Sequence, residues 1–246
     1  MGRMIPSARG LLQGSLRDST QDRLFAVPGG WQDCRLELCG VPLRLTIPAD
    51  PDRVLDAQVE AMHQGALPDE AWPDPYWAAL WSAATPTAEA VLRATWPPGT
   101  RALELGCGAG LVGLAALVRG CHVTFSDSAP QATCLALENA RQNGFPEAQA
   151  QLIDWHDPPA ASYDVILASD VLYHCGSHGA ILRAIDRLLT PDGICWIGDP
   201  GRYAAQAFHH AAAERFRVAL RDRAGQEFGV PSVGEFQLFV LRRGGR

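Results

Sequence analysis

The 246-residue sequence contains no lysine, so arginine supplies all 21 of its basic side chains. We attribute this absence to the codon usage of a GC-rich genome and assign it no mechanistic meaning. Long apolar runs are also absent, since stretches such as Leu111–Val118 fall well short of the roughly 20 residues that cross a bilayer. The seven cysteines are scattered and odd in number, which argues against a disulfide framework and favours a reducing compartment.

Charge and composition exclude further classes of protein. The net charge of −6 disfavours a protein that coats nucleic acid, and no membrane association is expected. The repeated short Cys and His spacings of a zinc site are missing, so we expect no metal. The N terminus carries several arginines before its first acid but no apolar signal stretch, and we expect a cytoplasmic protein.

The chain divides into an N-terminal extension of residues 1–73 and a main domain of residues 74–246. Residues 1–30 show no regular period. Two short runs of alternating apolar and polar residues predict a β-hairpin, and a helical pattern follows them. The predicted elements are strands at Arg35–Leu38 and Leu43–Ile47 and a helix at Asp50–Gly65.

The main domain begins with an aromatic, proline-rich stretch, Trp72–Trp77, and an interrupted helix that ends near Thr95. Short apolar strands then alternate with helical segments, which predicts a parallel sheet covered on both faces. The predicted strands are Ala102–Leu105, His122–Phe125, Gln149–Ile153, Val165–Ala168 and Ile194–Ile197. The predicted helices are Leu111–Arg119, Pro130–Asn143, Gly179–Leu189 and Tyr203–Glu214. The final runs, Phe216–Leu220 and Phe236–Leu241, predict an antiparallel hairpin at the sheet edge.

A glycine-rich loop, Gly106–Gly110, follows the first strand of the main domain and opens a helix. Glycines permit a sharp turn and a close approach of ligand to backbone. The spacing from Gly108 to Gly113 also satisfies the dinucleotide fingerprint, with Asp127 near the usual distance. However, Glu104 precedes the loop and would repel a pyrophosphate, whereas it would attract a cationic ligand. A dehydrogenase is therefore disfavoured.

Acidic residues end three successive strands, where doubly wound sheets bind ligands. Glu104 ends the first, Asp127 the second and Asp154 the third. Asp127 is expected to accept ribose hydroxyls, although it could instead cap the next helix. Asp154 can receive an adenine amino group while Trp155 stacks on the ring, or Trp155 can simply pack in the core.

This constellation resembles the class I S-adenosylmethionine-dependent methyltransferases, over roughly Asp74 to the C terminus. The resemblance implies an α/β fold with a Rossmann-like seven-stranded sheet, mostly parallel, that ends in an antiparallel hairpin. It also implies that S-adenosylmethionine is the cofactor.

Four segments are similar to methyltransferase family 16, which methylates protein side chains: Asp74–Trp81, Asp154–Trp155, Ser169–Tyr173 and Ile197–Arg202. The Asp-Pro-Tyr-Trp and Gly-Asp-Pro-Gly-Arg segments most resemble the electron-transfer-flavoprotein β-subunit lysine methyltransferases and their bacterial relatives. The family's Asp-x-x-Tyr signature assigns catalytic roles to Asp170 and Tyr173. The residues implied to bind the cofactor are Trp81, Glu104, Gly106, Gly108, Gly110, Asp127, Asp154, Trp155 and Ser169.

One departure is that Ser82-Ala83-Ala84 stands where these relatives have Pro-Gly-Gly after the tryptophan. An amine acceptor also fits the chemistry, because a lysine ammonium must lose a proton before it can attack a methyl group. Asp170 could attract that ammonium and Tyr173 could orient it, or the two could merely cap and pack. Arg202 could hold a substrate carboxylate or face solvent.

The sequence also bears on other functions. Nucleic-acid base methyltransferases carry Asn/Asp-Pro-Pro-Tyr/Phe after the fourth strand, whereas Asp157–Ala160 lies before that strand and lacks the aromatic residue. A small-molecule N-methyltransferase and a non-catalytic cofactor-binding partner protein stay open. The expected partner is a protein substrate, such as the electron-transfer flavoprotein β-subunit or another lysine-bearing protein, and not nucleic acid.

Overall fold

The computed structural model describes residues 24–64 and 75–244. Its first element is an antiparallel hairpin of β1 (Trp31–Leu38) and β2 (Val41–Pro48), followed by helix α1 (Pro51–His63). The hairpin turns at Cys39 and Gly40, which both have a positive φ. The predicted hairpin and helix are confirmed. The proposed boundary between residues 73 and 74 lies outside the described residues, as do most of residues 1–30, Gly65 and the first three residues of the aromatic stretch.

The rest of the chain forms one mixed sheet with helices on both faces. Its helices are α2 (Ala84–Arg93), α3 (Leu111–Val118), α4 (Pro130–Gln142), α5 (His178–Leu188) and α6 (Ala204–Ala213), with short 3-10 helices at Pro75–Ala78 and Cys175–Ser177. Its strands are β3 (Arg101–Leu105), β4 (His122–Asp127), β5 (Gln149–Leu152), β6 (Tyr163–Ser169), β7 (Leu189–Asp199), β8 (Phe216–Arg221), β9 (Glu227–Phe228) and β10 (Gln237–Arg243).

The strand order is β5-β4-β3-β6-β7-β10-β8-β9. Strands β3 to β7 run parallel, and β10 inserts antiparallel between β7 and β8. This confirms the predicted mostly parallel sheet with an antiparallel pair at its end, and the two-residue β9 adds an eighth strand. Strand β7 begins earlier than the predicted Ile194, because Leu189 already pairs with Tyr163 of β6.

The core lies in two layers, one on each face of the sheet. Along β6, Val165 and Leu167 pack on the side of α2, α3 and α4, whereas Ile166 and Ala168 pack on the side of α5 and α6. Successive side chains of a strand point to opposite faces, so a strand covered on both sides is apolar throughout. In the part of the chain that the structure describes, no helix is long and apolar enough to cross a bilayer.

Two asparagines fasten the N-terminal hairpin to helix α4. Asn139 accepts a hydrogen bond from the Thr46 N–H at 2.7 Å and donates to the Thr46 carbonyl at 3.1 Å. One turn later, Asn143 makes the same pair of bonds with Arg44. Residues four apart share one helix face, so the two side-chain amides lie along the edge of β2. There they make the backbone hydrogen bonds that a neighbouring strand would otherwise make. Asn139 also donates to the Ala109 carbonyl at 2.8 Å, which links the hairpin to the glycine loop.

Candidate active site

A cleft with a cavity volume of about 260 Å³ opens where β3, β4, β5 and β6 end. Every site residue predicted from the sequence lines this cleft, although the residues come from five separate parts of the chain. They are Trp81, Glu104, Gly106, Gly108, Gly110, Asp127, Asp154, Trp155, Ser169, Asp170 and Tyr173. Their individual roles remain predictions, but their common location is a property of the fold.

The glycine loop forms the floor of the cleft at the end of β3. Gly106, Gly108 and Gly110 all have a positive φ, a backbone conformation that is unfavourable for residues with a Cβ atom. At Gly110 an added Cβ would also lie 2.8 Å from the Cβ of Ala136, so the loop and α4 approach too closely for any side chain. The sequence therefore needs glycine here both for backbone conformation and for space.

Glu104 is the next-to-last residue of β3 and is buried, with only 2% of its surface exposed. Its Oε2 atom accepts a hydrogen bond from the Gly113 N–H at 2.9 Å. Burial raises the pKa of Glu104 from 4.5 to about 8, because desolvation outweighs the backbone hydrogen bonds from Gly113 and Val112 that lower it. A cationic group in the cleft would favour the carboxylate and would therefore bind here with a proton released.

Gly113 makes room for that carboxylate. A Cβ at this position would lie 2.6 Å from Oε2 of Glu104 and 2.5 Å from Cε1 of Phe125. In the sequence Gly113 stood out only as part of the dinucleotide pattern, so its actual contribution was missed. The spacing could have indicated this role, because Gly113 lies in the first turn of α3, nine residues after Glu104, and its N–H faces that carboxyl.

Asp127 lies between the glycine loop and the segment that leads into α4. Its Oδ1 accepts from the Ala129 N–H at 3.0 Å, just before α4, and its Oδ2 accepts from the Gly108 N–H at 3.1 Å. Burial raises its pKa, against the lowering effect of these backbone bonds. The side chain thus joins the glycine loop to the start of α4 while it still lines the cleft.

Asp154 and Trp155 form the side wall after β5. Asp154 is exposed, and it accepts the His156 N–H at 2.8 Å and lies 3.0 Å from the His156 ring Nδ1. The backbone bond from His156 lowers the pKa of Asp154, so this carboxyl stays ionised. Trp155 is half-buried, and a Cβ on Gly106 would meet its ring at 3.3 Å. Its indole therefore packs against the glycine loop as well as facing the cleft.

Asp170 is held in a strained and buried position just after β6. It is a non-glycine residue with a φ of 62°, and its Oδ2 accepts the Ala83 N–H at 2.7 Å. Its Oδ1 accepts from the Arg202 guanidinium at 2.7 Å. Burial raises the pKa of Asp170, and the hydrogen bond and charge of Arg202 oppose that rise. The departure at Ala83 from the Pro-Gly-Gly pattern is thus accommodated, because its backbone N–H makes the contact.

Arg202 is largely buried and pairs with two carboxyl groups of the protein itself. Its guanidinium bridges Asp170 and, at 3.3 Å, Oδ2 of the fully buried Asp199. The other oxygen of Asp199 accepts the Gly201 N–H at 2.8 Å. Two carboxylates therefore share one arginine, which leaves one unbalanced negative charge beneath the mouth of the cleft when both are ionised.

Exposed aromatic rings surround that mouth. Tyr76, Trp81 and Tyr173 are 41%, 42% and 47% exposed. The Tyr76 ring lies 5.9 Å from that of Trp81 and 5.3 Å from that of Tyr173, edge to face in both cases. The Trp81 indole N–H donates to the Tyr76 carbonyl at 2.7 Å. Tyr76 was given no role from the sequence, because its exposure is visible only in the fold.

Residues 97–229, more than half of the chain, match a family model described as a methyltransferase domain. The chain is 31% identical to protein N-lysine methyltransferase METTL21A of Danio rerio over 51% of its own length and 57% of the relative's. It is also 31% identical to a ubiquinone biosynthesis O-methyltransferase of Aeromonas salmonicida, over 42% and 44% of the two chains. The chain thus spans about half the length of the curated relatives it matches.

A solved structure supports the fold. The N-methyltransferase NodS of Bradyrhizobium japonicum, in complex with S-adenosyl-L-homocysteine, superposes with a TM-score of 0.54 at 17% identity and covers 76% of this chain and 98% of its own. Among the residues with described positions, no group of His, Cys, Asp and Glu side chains is arranged to hold a metal ion.

The cleft fits a ligand that carries an adenosine, an ammonium and a sulfonium. Acidic side chains line it from end to end, an indole borders it, and the glycine loop leaves space for a ligand against the backbone. A dinucleotide would place its pyrophosphate beside Glu104 and oppose ionisation of that carboxyl, whereas a cationic ligand favours the carboxylate. The chain therefore belongs to the methyltransferase-domain family, with the α/β fold and the S-adenosylmethionine cleft of a class I methyltransferase.

Proposed function

We propose that this protein is an N-methyltransferase that acts on lysine side chains of a protein substrate. The observation that carries the proposal is the Asp170–Tyr173 pair at the mouth of the cofactor cleft, beside an unbalanced negative charge. A cationic acceptor is favoured there, whereas a neutral phenol gains nothing from that charge. The similarity to a protein N-lysine methyltransferase supports this choice, and the similarity to an O-methyltransferase represents the competing one.

S-adenosylmethionine supplies an activated methyl group on a sulfonium when it is bound. The work of the protein is then mostly to position two reactants in line. Glu104 would hold the cofactor's ammonium, Asp127 its ribose, and Asp154 with Trp155 its adenine. Trp81 and Ser169 would lie near the methyl-bearing end, at the side from which the acceptor enters.

Asp170 acts in this proposal through charge and position rather than as a proton acceptor. Both of its oxygens are already hydrogen bonded, to Ala83 and to Arg202. Its negative charge, only half balanced within the Asp170–Arg202–Asp199 group, draws a lysine ammonium toward the cleft. Tyr173, exposed at the rim, would orient the nitrogen, and the proton would leave to solvent as the nitrogen approaches the methyl group.

The test is incubation with methyl-labelled S-adenosylmethionine and a lysate of the native host, followed by gel separation and mass spectrometry. The expected result is a labelled protein band with the methyl group on a lysine. The electron-transfer flavoprotein β-subunit, which we propose as one substrate, is assayed in purified form alongside. Because the enzyme has no lysine, its own band cannot contribute a lysine signal.

Two variants sharpen the test. Tyr173→Phe removes the hydroxyl at the cleft mouth and should lower the turnover of lysine. Tyr203→Phe makes the same change at a position that is 80% exposed and outside the cleft, and it should behave as wild type. Label found only in small molecules would replace the proposal with a small-molecule methyltransferase, and cofactor binding without any label would favour a non-catalytic partner protein.

A further inference from the structure

We propose that Tyr76, Trp81 and Tyr173 form an acceptor subsite that recognises a positively charged nitrogen through aromatic ring faces, including a nitrogen that already carries methyl groups. This inference rests on the proposed function, since it names how the acceptor is held. It adds a residue, Tyr76, to which the sequence assigned no role. It also implies that the subsite binds the methylated product as well as the substrate.

The placement of Tyr76 is the first observation. The 3-10 helix Pro75–Ala78 buries its other three residues and exposes Tyr76 alone. The exposed ring of Tyr76 is therefore available for contact with a ligand, unlike the side chains of its neighbours on the turn. Tyr76 lies in the lining of the cofactor cleft and not on an outer face.

The arrangement of the three rings is the second observation. Tyr76 is central, and the rings of Trp81 and Tyr173 stand at 77° and 74° to it. The hydrogen bond from Trp81 to the Tyr76 carbonyl fixes the indole relative to the turn that carries Tyr76. All three residues line the same cleft, so a ligand bound there lies beside their rings. A cation is attracted to ring faces within about 6 Å of their centres.

The state of the carboxylates in the cleft is the third observation. Glu104, Asp127 and Asp170 each accept backbone hydrogen bonds, and Asp170 also pairs with Arg202. Asp154 is engaged with His156. Each of these carboxylates already uses part of its hydrogen-bonding capacity within the protein, whereas ring faces attract a cation without any hydrogen bond. The buried charge can still attract the acceptor at longer range.

A consequence for the product follows. A methylated lysine nitrogen keeps its positive charge when protonated or fully methylated, but it has fewer N–H groups to donate. A subsite built on hydrogen bonds would therefore weaken with each methyl group, whereas ring faces retain their attraction. The subsite should hold mono- and dimethyllysine as well as lysine, which permits successive transfers at one residue.

The experiment measures binding without turnover. The full chain is saturated with S-adenosylhomocysteine, and two small compounds are titrated in by calorimetry. One is Nα-acetyl-Nε-trimethyllysine amide, and the other is its neutral isostere with carbon in place of the quaternary nitrogen. We expect the cation to bind roughly tenfold more tightly than the neutral compound. Tyr76→Leu should bring that ratio close to one, whereas Tyr76→Phe should keep it.

Controls separate this inference from folding and from the proposed function. Tyr203→Leu, an equal change at an exposed tyrosine outside the cleft, should keep the tenfold ratio. Unchanged affinity for S-adenosylhomocysteine shows that a variant is folded, and Tyr173→Leu replaces Tyr76→Leu if that variant fails this check. Equal binding of the two compounds, no binding of the cation, or a Tyr76→Leu variant with the wild-type ratio overturns the subsite.

The two proposals fail in different ways. Cation preference in a protein that methylates no lysine overturns the proposed function and leaves the subsite standing. Lysine methylation without cation preference does the reverse. In the latter case the acceptor would be selected by contacts with the surrounding protein substrate.

Discussion

The pKa of Glu104 makes a quantitative prediction about stability. In the unfolded chain its carboxyl ionises near 4.5, but in the folded protein it keeps its proton until about pH 8. At about 1.4 kcal/mol per pKa unit, this gap corresponds to roughly 5 kcal/mol. The folded pKa is the higher one, so this contribution to stability is complete below about pH 4.5 and is lost as the pH rises to about 8. Glu104→Gln keeps a hydrogen-bond acceptor for Gly113 and removes the ionisation.

The assay is urea unfolding of wild type and Glu104→Gln without cofactor, at several pH values from 4.5 to 9. All other titrating groups are common to both proteins, so they largely cancel in the difference between the two free energies of unfolding. That difference should shift by roughly 5 kcal/mol in favour of the variant between pH 4.5 and 8 and then level off. Glu147→Gln, at an exposed glutamate, is the matched control.

Two parallel stability curves over this pH range would refute the reasoning, because Glu104 would then ionise in the cleft as it does in water. The same variant tests the cofactor assignment. Hydrogen bonds to charged groups are worth about 1.5–3 kcal/mol, so Glu104→Gln should bind S-adenosylmethionine roughly 10- to 100-fold more weakly. Wild type should also release a proton on binding near pH 7, and the variant should not. Unaltered affinity would remove Glu104 from the cofactor site.

Three further substitutions test the contacts around the cleft. Arg202→Met leaves Asp170 buried without its cation and should lower the free energy of unfolding by about 3 kcal/mol in urea; an unchanged midpoint would show that the pair adds no stability. Gly113→Ala should cost about 1–3 kcal/mol and weaken cofactor binding, while Gly229→Ala, in open space, should do neither. Asn139→Ala leaves buried backbone groups unpaired and should cost about 1–3 kcal/mol in the same assay, with wild-type stability as the contrary result.

Local patterns were sufficient for most of the fold. Strand and helix assignments depend on short apolar runs that alternate with segments of helical periodicity, and this alternation can be read directly from the sequence. The rule that ligands bind at the carboxyl ends of parallel strands then placed Glu104, Asp127 and Asp154 in one cleft, where the structure has them.

Contacts between distant parts of the chain could not be predicted in this way. Asp170 lies 87 residues from Ala83 and 32 from Arg202, and no spacing rule connects them. The pairing of Arg202 with Asp170 and Asp199 could not be predicted for that reason. The exposure of Tyr76 likewise depends on which side of the 3-10 turn faces the core. The Asp-Pro-Tyr-Trp segment alone does not reveal that side.

The hydrogen bonds of Asn139 have a consequence for how the chain can be divided. One side-chain amide binds both the hairpin of the extension and the carbonyl of Ala109 in the glycine loop. Removing the hairpin would remove the Thr46 partners of this amide and let it turn away from the loop. A ligand that displaces the hairpin would break the same hydrogen bonds. We therefore expect occupancy of the cofactor cleft and docking of the hairpin to strengthen each other. Asn139 thus joins the hairpin, which precedes residue 73, to the glycine loop, which follows it.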